Sequence, residues 1–226
     1  EAGEVIYENG LPTFDDKVSV LGNGNYDFTL GFRNAFSYKN LSMSVLVDMK
    51  FGADVYSMSK MQSHVNGTSK ETLEGREGWY ASEQARLSAN VDAKDWTPTG
   101  GYVGKGVKAV TDADGNVSYV PNDVYVDPAK YWQALQNSSP EPFICDNSFV
   151  KLREVSLSYS CPKKWFVHTP IESVTLSAYG RNLLLIYSKV DNIDPESSYN
   201  NGNGQGFEYG SLPSRRTFGF GINVKF

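Results

Sequence analysis

The residues that could do chemistry are few, and their spacing argues against catalysis. His64 and His168 are the only histidines; they fall in loop-like and turn-like sequence and read as surface residues, not metal ligands. No nucleophile stands beside a base. Asp112, Asp114 and Asn116 open like a calcium loop, but Gly115 is misplaced and no Glu closes it, so a glycine-containing turn is the better reading. Asp191, Asp194 and Glu196 could gather a cation; with Pro195 among them they read instead as a solvated turn. A glycan-acting enzyme would need a carboxylate pair that is not evident. We therefore expect no catalytic residue, no metal and no cofactor.

Aromatic side chains are the other candidates. Trp79, Tyr80, Trp96, Tyr102, Tyr119, Tyr125, Tyr131 and Trp132 concentrate between residues 55 and 147. Such rings stack on sugars, pack against a partner or build a local core. Trp79, Tyr80, Trp96, Tyr102, Tyr131 and Trp132 are the candidate contacts to a ligand or a covering lid.

Composition sets the frame for these residues. Aromatics at 13% together with 21 glycines lean towards β structure. A net charge of -5 argues against a nucleic-acid partner. No apolar run reaches the roughly 18 residues of a membrane helix, which leaves barrels open because their strands alternate. Cys145 and Cys161 have no metal spacing and could pair or stay as thiols. The chain opens on Glu1 in loop-like sequence, without a signal peptide, so we expect a piece of a longer protein or a processed product.

The elements follow from period-2 alternation. The last stretch, Thr217 to Phe226, is without error: Phe218, Phe220, Ile222, Val224 and Phe226 share one face, and Thr217, Gly219, Gly221, Asn223 and Lys225 the other. Asp27–Lys39 and Leu41–Asp54 alternate likewise and are joined at Lys39-Asn40, which predicts a hairpin. Its charges, Arg33, Asp48, Lys50 and Asp54, all lie on the polar face. A barrel demands this, because an Arg or Lys facing mid-bilayer costs about 2–4 kcal/mol. Ser148–Ser160 is a further strand whose phase slips near Arg153, from a bulge or a strand end leaving the bilayer. Val174–Tyr187 is the next, although Leu183–Tyr187 is apolar on both faces.

The connections read as a loop over 1–24, a long insert over 55–147, a turn over 161–173 and a polar loop over 188–215. The insert should hold a helix within Glu71–Ala93, a hairpin at Val107–Thr111 and Val117–Val120, and a helix over Val126–Leu135 with Asp127 as N-cap and Pro128 at its first position. Short turns at one end and long loops at the other fit an outer-membrane barrel, with 55–147 extracellular. Tyr38, Tyr159, Tyr187 and Trp165 would then lie at the interfacial girdles.

Three stretches carry a resemblance. Leu21-Gly-Asn-Gly-Asn-Tyr-Asp-Phe-Thr-Leu-Gly-Phe32 with Phe36-Ser-Tyr-Lys-Asn40 is one, and Asn147-Ser-Phe-Val-Lys-Leu-Arg-Glu-Val-Ser-Leu-Ser-Tyr159 with Pro162 is another. The third is Tyr179-Gly-Arg-Asn-Leu183 with Asp191–Glu196, Pro213–Thr217 and Gly219–Phe226. In this order the chain resembles the carboxy-terminal barrel portion of the SusC/RagA family of TonB-dependent outer-membrane transporters; Tyr26 and Leu212 depart from the family pattern. The resemblance implies an all-β, antiparallel transmembrane β-barrel segment of about five strands, open if alone, with the plug domain absent. It implies import of glycans or peptides with a SusD-type lipoprotein, driven by the TonB complex through the missing plug, in the bacterial outer membrane and its lipid. It also implies that Phe218, Phe220, Ile222, Val224 and Phe226 form the signal read by the barrel-assembly machinery. The other reading of the same residues is a secreted or surface carbohydrate-binding β-sandwich module.

Overall fold

The computed structural model describes residues 4–13, 17–197, 202 and 204–226. In chain order its strands are β1 (Ile6–Glu8), β2 (Leu11–Pro12), β3 (Phe28–Tyr38), β4 (Leu41–Phe51), β5 (Asp54–Ser57), β6 (Val107–Thr111), β7 (Val117–Pro121), β8 (Ile144–Asp146), β9 (Phe149–Ser160), β10 (Ser173–Ser188), β11 (Phe207–Glu208) and β12 (Thr217–Lys225). Its α-helices are α1 (Met58–Val65), α2 (Arg76–Ser88) and α3 (Pro128–Ser138). The chain forms two compact units, a sheet unit (Gly22–Ser57 and Ile144–Phe226) and an insert unit (Glu1–Leu21 and Met58–Phe143). Two stretches read as loops are only partly covered: 1–3 and 14–16 of the first, and 198–201 and 203 of the second, lie outside the described residues.

The sheet unit is built on five antiparallel strands in the order β12-β10-β9-β4-β3, an open sheet with β12 and β3 at its edges. β3 and β4 pair residue for residue from Phe28↔Phe51 to Tyr38↔Leu41, and Lys39 takes a positive φ of 54° in the two-residue turn. The phase slip in β9 is a bulge. Leu46 faces Glu154 and Val47 faces Leu152, so Arg153 is the extra residue. A matching irregularity in β10 lies between Arg181 and Leu184, with Asn182 at φ 53°, and another lies between Leu185 and Tyr187. The poor alternation of Leu183–Tyr187 therefore comes from two register shifts inside one strand.

A smaller sheet, β11-β5-β8, borders this wall. β5 runs antiparallel to β8, with Val55 opposite Cys145, and parallel to β11, with Tyr56 opposite Phe207. Alternation could not announce strands of two to four residues. Ala53, Val55, Phe149, Val190 and Glu208 are among the buried residues of this unit.

The insert unit has its own sheet, β2-β1-β6-β7, and its own core of Tyr7, Met61, Val107, Tyr131, Trp132, Leu135 and Phe143. Its first two strands lie in the stretch expected to be a loop. The hairpin β6/β7 closes on Asp112, whose carboxylate accepts from the backbone of Asp114 and Asn116. Asp127 caps α3 by accepting from the Ala129 amide at 2.9 Å, with Pro128 at the first position. The helical stretch expected within Glu71–Ala93 divides into a 3-10 turn at Lys70–Leu73 and α2. The break falls at Gly75, whose φ of 80° a side chain would strain.

His64 corrects the sequence reading. It is 3% exposed, not a surface residue. It lies on α1, with Nδ1 2.8 Å from the Lys60 carbonyl oxygen and Nε2 2.8 Å from Glu71 Oε2. Its ring packs 4.7 Å from that of Trp132. No periodicity over eight residues distinguishes such a helix from a loop.

Candidate functional site

Register decides what each face of the wall presents. Pairing puts Phe28, Leu30, Phe32, Phe36 and Tyr38 of β3 beside Phe51, Met49, Val47, Met43 and Leu41 of β4. It continues through Val150, Leu152, Val155, Leu157 and Tyr159 of β9 to Leu176 and Ala178 of β10, then to Ile222 and Phe220 of β12. One face is thus apolar across all five strands, interrupted by Asn34 opposite Val45. It is also bare: Phe32 is 57% exposed, Phe220 86% and Ile222 73%. An apolar face of this breadth must be covered, by protein or by lipid.

A sandwich would cover it with a second sheet about 10 Å away. Among the described residues the five-stranded sheet has no second sheet paired face to face in its own unit. The bulge at Arg153 explains how the apolar face stays free of charge. In unbroken alternation Arg153 would share the face of Val155 and Leu157; instead it bonds to Asp48 on the polar side.

The polar face begins, near the β3/β4 turn, as a field of small hydroxyls: Ser37, Ser42, Ser44, Ser156, Ser158 and Ser177. Gly219 lies under the Tyr179 ring on this face, where a side chain would collide with it. At the other end of the strands the face carries an ion network. Lys151 Nζ donates to Asp194 Oδ1 at 3.2 Å, Glu196 Oε2 at 2.7 Å and Ser214 Oγ at 2.8 Å. Arg153 grips Glu196 with both terminal nitrogens, at 2.9 and 2.5 Å, and donates to Asp48 at 2.5 Å and Asn182 at 2.7 Å. The loop after β10 is thereby tied to the wall.

The acidic turn weighed as a cation site has its cations from the protein itself. Burial alone would raise both carboxyls. Hydrogen bonds from Ser214 to Asp194, and from Arg153 and Lys151 to Glu196, outweigh it and hold both below the usual carboxylate range. Tyr26 closes the arrangement. Its hydroxyl accepts from Asn147 Nδ2 at 2.9 Å, and burial, then the charge of Glu196, pushes the phenol up to about 12. Lys50 Nζ sits 5.1 Å from the Tyr26 ring centre. The sequence signal for Lys151 and Arg153 was present but illegible: a basic pair at a phase slip, with the acidic partners Asp194 and Glu196 more than 40 residues away.

The terminal residues lie on the edge strand. Phe218 (67%), Phe220, Ile222 and Phe226 (76%) are strongly exposed, and Val224 less so. The six candidate contact aromatics of the insert have different surroundings. Tyr102 packs 4.3 Å from Tyr131 between ring centres, Tyr131 is buried, and Trp96 donates from Nε1 to Ser82 Oγ at 3.1 Å. Trp79, Tyr80 and Trp132 line a cavity between α1, α2 and α3, and Trp132 also packs 5.1 Å from Tyr131 between ring centres.

A five-stranded antiparallel wall, apolar and bare on one face and polar on the other, defines the class: a transmembrane β-barrel segment. No family model matches the chain. It is 27% identical over 222 residues to TonB-dependent receptor P3 of Formosa agariphila, covering 96% of the chain and 18% of that protein. It is 29% identical over 223 residues to TonB-dependent receptor P26 of the same organism, covering 96% and 19%. The RagAB peptide importer in its "closed-closed" state shares the fold over 100% of the chain and 20% of the importer chain, with TM-score 0.56 and 17% identity. A structure of the RagAB peptide transporter matches with TM-score 0.55 and 18% identity, again over 100% and 20%. The chain spans about a fifth of the length of the curated relatives it matches. Along 96% of its residues the chain is similar to these TonB-dependent receptors.

Proposed function

We propose that this chain is the carboxy-terminal wall of a SusC/RagA-type nutrient importer, whose cargo is a glycan or a peptide. The bare apolar belt across five strands carries the reading. Lipid is the partner chemistry such a belt requires, and the segregated polar face lines an aqueous lumen. The insert unit is then an extracellular loop, and the loop after β10 lies over the lumen, held by Lys151 and Arg153. Tyr38, Tyr159, Tyr187 and Trp165 stand at the membrane interfaces. The importer works with a SusD-type lipoprotein as its lid and draws on TonB through a plug lying elsewhere in the protein. The role is transport, without catalysis by these residues.

The edge strand β12 supplies the assembly signal, with Phe226 at its end and Phe218, Phe220, Ile222 and Val224 behind it. The test is fractionation of the protein expressed from its native gene, followed by gel migration with and without boiling. Recovery in the outer membrane with heat-modifiable migration supports the reading; a soluble product refutes it. Phe226→Ala should lower outer-membrane recovery while leaving the folded fraction heat-modifiable. Unchanged recovery would remove Phe226 from the signal.

A further inference from the structure

We propose that the cavity between α1, α2 and α3 of the insert unit is a capture subsite for one ring of a polyhydroxylated ligand, a sugar unit of a glycan. The inference rests on the importer reading and deepens it. The cavity measures about 630 Å³, within the roughly 300–1,000 Å³ of small-molecule sites. Trp79, Tyr80 and Trp132 form its aromatic wall.

Two of these rings are placed oddly for a mere core. Tyr80 is 68% exposed, a large ring at the mouth that contributes little to packing. Trp132 is 8% exposed, yet its indole N–H finds no acceptor among the described residues.

The polar lining is mixed and already fixed. Arg76 donates from Nε to the Thr72 carbonyl at 2.7 Å and from a terminal nitrogen to the Gly67 carbonyl at 2.7 Å. Glu83 is held by Arg86 at 2.9 Å. Asn66 and Gln133 add amides that both donate and accept. A sugar ring presents C–H faces to aromatic rings and hydroxyls that also do both. An extended peptide fits less well. The lining comes from helices and their connections, whose backbone bonds turn inward, and it offers no strand edge for main-chain pairing. A simple anion is disfavoured because Glu83 and Asp127 line the same cavity as Arg76.

The test uses the whole receptor, expressed from its native gene and purified from outer membranes in detergent. It is screened on an array of neutral and acidic glycans, with a library of unstructured peptides alongside. At least one glycan should bind, and Tyr80→Ala should weaken that binding about tenfold. Tyr119→Ala, exposed on the β6/β7 hairpin, should leave it unchanged. Hydrogen exchange should slow on binding in 76–88 and 128–133. A receptor recovered from the outer membrane that binds no glycan overturns the subsite alone. So does equal affinity in the wild type and Tyr80→Ala, or peptide binding that slows exchange in the same segments. Recovery in the soluble fraction overturns the importer reading and the subsite with it.

Discussion

Replacing Lys151 by Met should release the loop after β10 from the wall. The Lys151 side chain is 5% exposed, and its ammonium makes three short contacts, to Asp194, Glu196 and Ser214. Breaking a buried ion pair costs about 3–5 kcal/mol when the partner charge is stranded. Here the stranding is partial. Glu196 keeps both arms of Arg153, and Asp194 keeps the amides of Glu196, at 3.1 Å, and of Ser214, at 2.7 Å. The lower end of the range applies, about 3 kcal/mol, or roughly a hundredfold in the opening constant of the loop. Hydrogen exchange at the Glu196 and Ser214 amides reads this directly, because both donate to Asp194. In the receptor purified from outer membranes, exchange at these two amides should accelerate roughly a hundredfold, while amides in the middle of β9 stay protected. Adding Glu196→Gln should cost less than the sum of the two single changes, because the two residues share one network. A change below about threefold would refute the claim that Lys151 holds the loop.

Three further outcomes follow from the same geometry. Phe220→Arg puts a guanidinium on the lipid face and should cost about 2–4 kcal/mol in folding into bilayers, whereas Asn223→Arg, on the polar face of the same strand, should cost far less; equal losses in a urea titration of refolding would contradict the assignment of faces. The loop tether should weaken in acid and again in strong base. The Asp194 and Glu196 carboxyls are lowered in the folded state, so their contribution is present above the ordinary value near 4 and lost as pH falls through the folded values. The Tyr26 phenol is raised to about 12, so its contribution is present below the ordinary value near 10 and lost as pH rises through about 12. Proteolysis of the loop after β10 across pH should be slowest between these limits, and a flat profile would exclude the tether. Asp127→Ala removes the cap of α3 and should destabilise the insert unit by about 1 kcal/mol, measured as faster exchange over the first turn of the helix.

Much of the wall was legible because strand parity is local. Phe218, Phe220 and Ile222 declare their shared face within five residues, whatever they pair with, and the hairpin from Phe28 to Phe51 does the same. Asp127-Pro128 declared the start of α3 because a cap bonds only to its own first turn. The motif resemblance pointed to the right class of protein for a related reason: its stretches lie in the strands and their adjoining turns, not in the insert.

Other features were decided only by partners far along the chain. The slip at Arg153 could not be assigned until Leu46 and Val47 fixed the opposing register, and only the bulge explains why an arginine at apolar parity leaves the lipid face. Asp194 and Glu196 looked like half a cation site because Lys151 and Arg153, which neutralise them, lie more than 40 residues earlier. His64 read as a surface residue because its burial is set by α3 and Phe143, not by α1. The strands β5, β8 and β11 are too short to show a period, and exist because their neighbours supply the missing hydrogen bonds. Periodicity fixes which way a side chain points along its own strand; register, bulges and burial belong to pairs of segments, and the fold alone brings those together.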